Sequence, residues 1–252
     1  MTTTRMLAMG RAELLLLSRN KMALYVALLL PAFMAWAMRN GISKIDPEDA
    51  GMSVNEIAMT GAFGYILLFV VYQNLVSALV ARREELVLKR LRTGEANDVE
   101  ILAGTALPSV AVALAQCVVL LVAGIAWLDL RAVARPDLLL AGLVLGIVMS
   151  IALAAVTTVI AKTVESAQLV TSPLLLLSLM GSGLVVPLEI FPDTVADVCR
   201  LLPLSPVVEL VRGGWLGGTD TAEALRSLAI ALAWTALSVF AVRRWFRWEP
   251  RR

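Results

Sequence analysis

Long uncharged runs, separated by short clusters of charge, dominate the chain from residue 22 onward. Crossing ~30 Å of hydrocarbon takes about 20 apolar residues in helical form. A charge at a helix centre costs roughly 2.5–3.5 kcal/mol on an insertion scale, so spans are read between flanking charges. On that reading the spans are 22–38, 57–81, 101–128, 138–161, 166–188 and 221–242. The last begins early because Asp220-Thr-Ala-Glu223 offers an N-cap and a carboxylate at the third helical position. The expected fold is therefore all-α: a single polytopic membrane domain over 1–252 with about six transmembrane helices.

Three segments between or before the spans have patterns of their own. Residues 1–21 mix Leu14 to Leu17 with Arg11, Glu13 and Arg19. The segment is too charged to span and is expected to lie as an amphipathic helix at the membrane interface. Residues 82–100 carry Arg82, Arg83, Glu84, Glu85, Lys89, Arg90 and Arg92. They predict a short helix extending below the second span and ending at Gly94. Glu85 and Lys89 form an i, i+4 pair in it, and Leu88 and Leu91 offer apolar anchors for a partner. A basic anchor that fixes topology is the alternative reading of this loop. Residues 189–218 are too apolar for a free loop. From Pro192, Val195, Val198 and Leu202 share one helical face, with Asp193, Asp197 and Arg200 opposite. Pro203 and Pro206 then interrupt, and a second short helix carries Glu209 and Arg212. Two such helices predict a re-entrant hairpin; lying flat on the membrane surface is the alternative.

Composition changes the picture by exclusion. The chain has 252 residues, is 59% hydrophobic and 17% charged, and has mean hydropathy +0.81, well outside the soluble norm of roughly 45–50% apolar and about 25% charged. It has no histidine, which removes His-based metal sites and Ser-His-Asp chemistry. No Gly-x-x-x-x-Gly-Lys-Ser/Thr loop is present to cradle nucleotide phosphates. A net charge of +2 without a basic, aromatic-interleaved patch argues against nucleic acid. Cys117, mid-span, and Cys199, in a polar connection, are not expected to pair. Residues 22–34 followed by Ala35-Trp-Ala37 resemble a signal peptide, but the preceding lead is long and further spans follow.

Charge asymmetry gives an orientation. Of the 22 lysines and arginines, 15 fall in the N-terminal segment, 82–100, 162–165 and the tail from 243. The positive-inside rule then puts both termini in the cytoplasm of a cell-membrane protein. Trp36 and Trp127 sit at outer span ends and Trp245 and Trp248 at an inner one, whereas Trp234 falls mid-span. No Asp, Glu, Lys or Arg occupies a span centre, which counts against an ion-coupled carrier. Gln73, Asn74, Gln116 and Gln168 are the strongest polar groups within spans and need partners, as helix-to-helix glue or along a polar path. Gly142-x-x-x-Gly146 permits close approach of another helix.

Three places resemble the membrane permeases of ATP-binding-cassette (ABC) exporters of the type-2, drug and polysaccharide export, class. They are Ser18-Arg-Asn-Lys21 with Pro31; Arg82-Arg-Glu-Glu85 with Leu91-Arg92; and Gly183 through Pro187-Leu-Glu-Ile-Phe-Pro192, then Leu202-Pro-Leu-Ser-Pro206 and Glu209 to Arg212. The resemblance implies a permease without catalysis of its own, pairing as a dimer. It implies two copies of a separate ATPase subunit that bind ATP and Mg, none of which this chain would hold. Residues 82–100 would couple to that subunit through Arg82, Arg83, Glu84, Glu85, Lys89, Arg90 and Arg92. Gln73, Asn74, Gln116 and Trp234 are candidates for the translocation path. Pro187, Glu189, Pro192, Pro203, Pro206, Glu209 and Arg212 would shape an outer hairpin capping it. The expected cargo is an amphipathic drug, lipid or lipid-linked molecule. The alternative function is an intramembrane enzyme acting on lipid or polyprenyl substrates.

Overall fold

The computed structural model describes residues 52–93, 97–127, 130–246 and 248, together with Phe33 and Trp36. The interface helix 1–21, most of the expected span 22–38, the Ser18-Arg-Asn-Lys21 motif and Gly94 lie outside the described residues.

All regular structure among the described residues is helical. Helix α1 runs Val54–Glu84. It starts at a capping box in which Ser53 accepts from the Glu56 N–H and the Glu56 carboxylate accepts from the Ser53 N–H. Between Ile66 and Gln73 it widens into a π-helix. Helix α2, Val87–Arg92, follows a break at Leu86. Helix α3 is Asp98–Trp127, opened by reciprocal bonds between Asn97 and Glu100. Helix α4 is Pro136–Thr157, with proline at its first position, where no N–H is missed. Helix α5 is Val164–Gly181, capped by Thr163 and Ser166. A 3₁₀ turn at Leu188–Ile190 leads to α6, Asp193–Arg200, and α7, Ser205–Leu216. Helix α8, Thr221–Trp245, has Asp220 as N-cap, bonded to the Thr221 N–H.

Five of these helices, α1, α3, α4, α5 and α8, are long and apolar enough to cross a membrane. Their ends differ from the sequence expectation most at the fifth span. Read as 166–188, it stops at Gly181, where Ser182 leaves helical geometry and Gly183 turns left-handed at φ +70°. Glycine adopts that conformation without steric cost, so the apolar stretch after it folds as a turn rather than another helical turn.

Helix α1 occupies the middle of the bundle, with Ala62, Phe63, Ile66, Val71, Leu75, Val76 and Val80 buried. Helix α7 lies inside the bundle too, against α4, α8 and α1. A Cβ on Gly146 of α4 would stand 2.7 Å from Val207 Cγ1, and one on Gly142 would stand 3.0 Å from Leu210 Cβ. At the other end of α7 the Arg135 N–H donates to the Gly214 carbonyl at 2.8 Å. Thus α7 runs antiparallel to α4, and its N-terminus lies about ten residues, roughly 15 Å, along α4 from that helix's start. The Trp234 indole N–H, midway along α8, donates to the Leu201 carbonyl at 2.8 Å. The α6–α7 reversal therefore sits at mid-height between helices rather than across the end of the bundle. The Gly142-x-x-x-Gly146 face, which the sequence leaves open to another helix, is occupied by α7 of the same chain.

The apolar side chains facing outward are the ones a hydrocarbon environment would cover. They include Val118 and Val122 on α3, Leu169 and Met180 on α5, and Leu232 and Phe240 on α8. On α6, Val195 and Val198 also face outward while Ala196 is buried.

Candidate functional site

The end of the bundle where α1 finishes, the basic end, holds the charge cluster singled out in the sequence. The structure divides that cluster into an inward and an outward set. Arg82 is half-buried and donates through Nη1 to Thr105 Oγ1 at 3.1 Å. Arg83 is buried, 5% exposed. Its Nη1 donates to the Thr158 carbonyl at 2.7 Å, and its Nη2 donates to the Ala161 carbonyl. Thr158 is the C-cap of α4, where carbonyls lack helical partners and carry partial negative charge, and Ala161 lies in the connection just after it. Arg83 is thus turned into the protein and not toward a partner. Glu84, Glu85, Lys89, Arg90 and Arg92 are exposed.

The loop is also not one continuous helix. Leu86 takes φ +60°, the left-handed region that costs a leucine roughly 1–2 kcal/mol, and separates Glu85 from α2. Glu85 and Lys89 consequently do not share a helix as the spacing suggested. Leu88 is fully buried against Ile101 and Trp248, with Leu91 and Phe246 packed beside them. It fixes α2 to this chain and is not a free anchor for another protein. Arg92 sits over the Trp248 ring at 5.2 Å and pairs with Asp98 at 3.4 Å. Truncating a buried leucine costs about 2–5 kcal/mol. Leu88→Ala should therefore speed amide exchange across residues 87–92 by about thirtyfold or more. Exchange at the wild-type rate would show that the cluster does not hold α2.

The four candidate path residues are not brought together. Gln73 Nε2 reaches Gln168 Oε1 at 3.5 Å, joining α1 to α5, and its own Oε1 is buried without a partner. Asn74 is exposed and Gln116 buried. Trp234 is tied to the hairpin, and none of the four lines the cavity described next.

The hairpin residues do converge. Arg212, 8% exposed, donates through Nη2 to the Gly183 carbonyl at 2.7 Å and lies 3.6 Å from the Glu189 carboxylate. Glu209 accepts from Ser227 Oγ at 2.6 Å and lies 3.9 Å from Arg200, which also pairs with Asp197. Burial pushes the Glu209 carboxyl above its usual range, opposed by the Ser227 bond and the positive charge of Arg200. Pro192 precedes the first turn of α6, Pro206 lies in the first turn of α7, and Pro187 precedes the 3₁₀ turn. Pro203 falls in the reversal. Around these charges lies a cavity of about 470 Å³, which also takes in Arg131 and Arg226.

Sequence reasoning did not find Arg131, Arg226 or Ser227, because a residue's place on a cavity wall leaves no periodic signal. Trp215 was also missed. It is fully buried, edge-on to Phe63 at 5.6 Å, with its indole N–H bonded to the Arg131 carbonyl at 2.9 Å. The Ser53-Val-Asn-Glu56 cap was there to be read.

No curated protein matches the chain significantly. A family model described as ABC-2 type transporter matches residues 4–216, which take in α1 to α7 with both the charged loop and the hairpin. With several apolar membrane-length helices and that match over most of its length, the chain belongs to the ABC-2 type transporter family and is a multi-pass membrane permease.

Proposed function

We propose that this permease exports an amphipathic drug, lipid or lipid-linked molecule from the cytoplasm, driven by a separate ATP-binding subunit that carries the ATP and Mg. Family membership implies association with such a subunit. In this reading two copies of it meet two copies of the permease, and both permease termini are cytoplasmic. The permease contributes no catalytic group.

The observation that carries the reading is the α1–α2 corner. Glu84, Glu85, Lys89, Arg90 and Arg92 face outward there, while Arg83 and Leu88 bind the same corner to α4 and α3. A push received on the exposed charges is thus delivered to two spans without loss in a flexible loop. The π-helical stretch of α1, a form frequent at functional sites, begins where a push from the corner reaches the amides, with Gln73 as its last residue and Asn74 next to it. Asn74, exposed about two-thirds of the way along α1, needs a polar neighbour at that depth. A second copy facing it across a path would supply one.

Reversing both carboxylates, Glu84→Lys with Glu85→Lys, should leave the permease folded because both side chains are exposed. The paired ATPase should then co-purify less well, and ATP-dependent export should fall by about tenfold or more. Undiminished export in cells expressing the double variant at wild-type level would exclude this corner as the contact.

A further inference from the structure

The cavity at the hairpin end is lined by four arginines, Arg131, Arg200, Arg212 and Arg226, and four glutamates, Glu56, Glu189, Glu209 and Glu223, and not all of them are paired. Of the acids on its wall, Glu189 faces Arg212, Glu209 is engaged by Ser227 and Arg200, and Glu56 caps α1. Among the described residues neither Arg131 nor Arg226 forms an ion pair, and Glu223 is the one wall carboxylate without a partner. Arg131 and Arg226, two guanidinium groups outside any ion pair, thus share the cavity with Glu223 and with Glu56, whose carboxylate is bonded, among the described residues, only to the Ser53 N–H. Deeper in, Arg212 is more than nine-tenths buried, and its Nε finds no acceptor. An arginine held that far from water with an unsatisfied donor is costly unless a ligand shares it.

We propose that this cavity is a binding site for a phosphate group, and specifically for the phosphate-bearing headgroup of an anionic amphiphile. Guanidinium forks match phosphate oxygens bidentately and are weakly hydrated, which suits them to a half-enclosed cavity. Its volume, about 470 Å³, is in the range of small-ligand sites. The wall supplies a polar rim, while the neighbouring lipid-facing side chains would cover attached acyl chains. The use of this site in export rests on the permease reading, but the binding itself needs no ATPase.

The test separates the two. The full-length chain, purified alone in dodecyl maltoside, which carries no phosphate, is mixed with phosphatidylglycerol, with diacylglycerol or with inorganic phosphate and followed by native mass spectrometry. Phosphatidylglycerol should be retained in preference to diacylglycerol. Arg131→Gln with Arg226→Gln, two exposed side chains whose loss leaves no buried partner, should weaken retention by about tenfold or more. Arg135→Gln, whose side chain pairs with Asp137 outside the cavity, should not. Retention of inorganic phosphate with the same dependence on Arg131 and Arg226 would assign the site to free phosphate. Loss of the lipid alone would assign it to a headgroup. Equal retention of diacylglycerol, or phosphatidylglycerol binding unchanged in the double variant, overturns the proposal.

Discussion

Arg83→Ala is expected to give a permease that inserts but melts at lower temperature and no longer links ATP hydrolysis to export. Two charged hydrogen bonds disappear with the guanidinium, those to the carbonyls of Thr158 and Ala161. One carbonyl caps α4 and the other lies in the connection just beyond it, so no helical N–H can replace the lost donor. Stranding groups of this kind costs about 1–3 kcal/mol each. The thermal transition should reflect a loss in that range. Arg83→Lys keeps the charge but has a single ammonium in place of a fork, and it cannot hold both carbonyls in one geometry. It should fall between wild type and alanine. In the assembled complex, ATPase activity that persists while export is lost would locate the fault in transmission. A variant with wild-type melting and wild-type export would show that the tie between α1 and α4 is dispensable.

The sequence reads such a residue poorly, for a physical reason. Arg83 sits among Arg82, Glu84 and Glu85, and a charge run is normally a solvated face. Nothing local distinguishes the one member that turns inward, because its acceptors lie some 75 residues away, at and just after the end of α4. The five spans among the described residues were legible because hydrocarbon demands a long apolar run whatever the tertiary contacts. The hairpin was legible because Pro203 and Pro206 interrupt amphipathic stretches too short to cross. What covers each apolar face was not legible. Gly142 and Gly146 looked like a place for another helix, and α7 of the same chain fills it. Leu88 looked like an anchor for a partner, and Trp248 from the distant tail covers it. The π-helix over Ile66–Gln73 has neither proline nor glycine within it to announce the change of pitch. Periodicity reports that a face is apolar, and the identity of its neighbour is a tertiary fact.

The largest effect of a single methyl group should come at Gly214. A Cβ there would stand 2.4 Å from the Leu139 nitrogen and 2.7 Å from its Cα. These are backbone atoms of α4, so no side chain can rotate away. Relief requires α7 to move off α4, which breaks the Arg135 N–H bond to the Gly214 carbonyl. It would also disturb Trp215, the adjacent residue, which is buried against Phe63. Gly214→Ala should therefore cost more than the usual overpacking range of about 1–3 kcal/mol. Gly214→Val should leave little correctly assembled protein. Two controls make the claim specific. At Gly146 the obstructing atoms are Leu67 Cδ1 and Val207 Cγ1, side-chain ends that can shift, so Gly146→Ala should be milder. At Gly218 nothing lies within 4 Å, and the penalty is that of φ +81° alone, about 1–2 kcal/mol. Detergent-solubilised melting should then rank alanine at 214 well below alanine at 146 or 218. If 214 and 218 behaved alike, the close crossing of α7 and α4 would not be what seats the hairpin. Because Arg212 lies on α7, displacing that helix should also abolish phosphate binding at the cavity, even though Gly214 itself carries no side chain to offer a ligand.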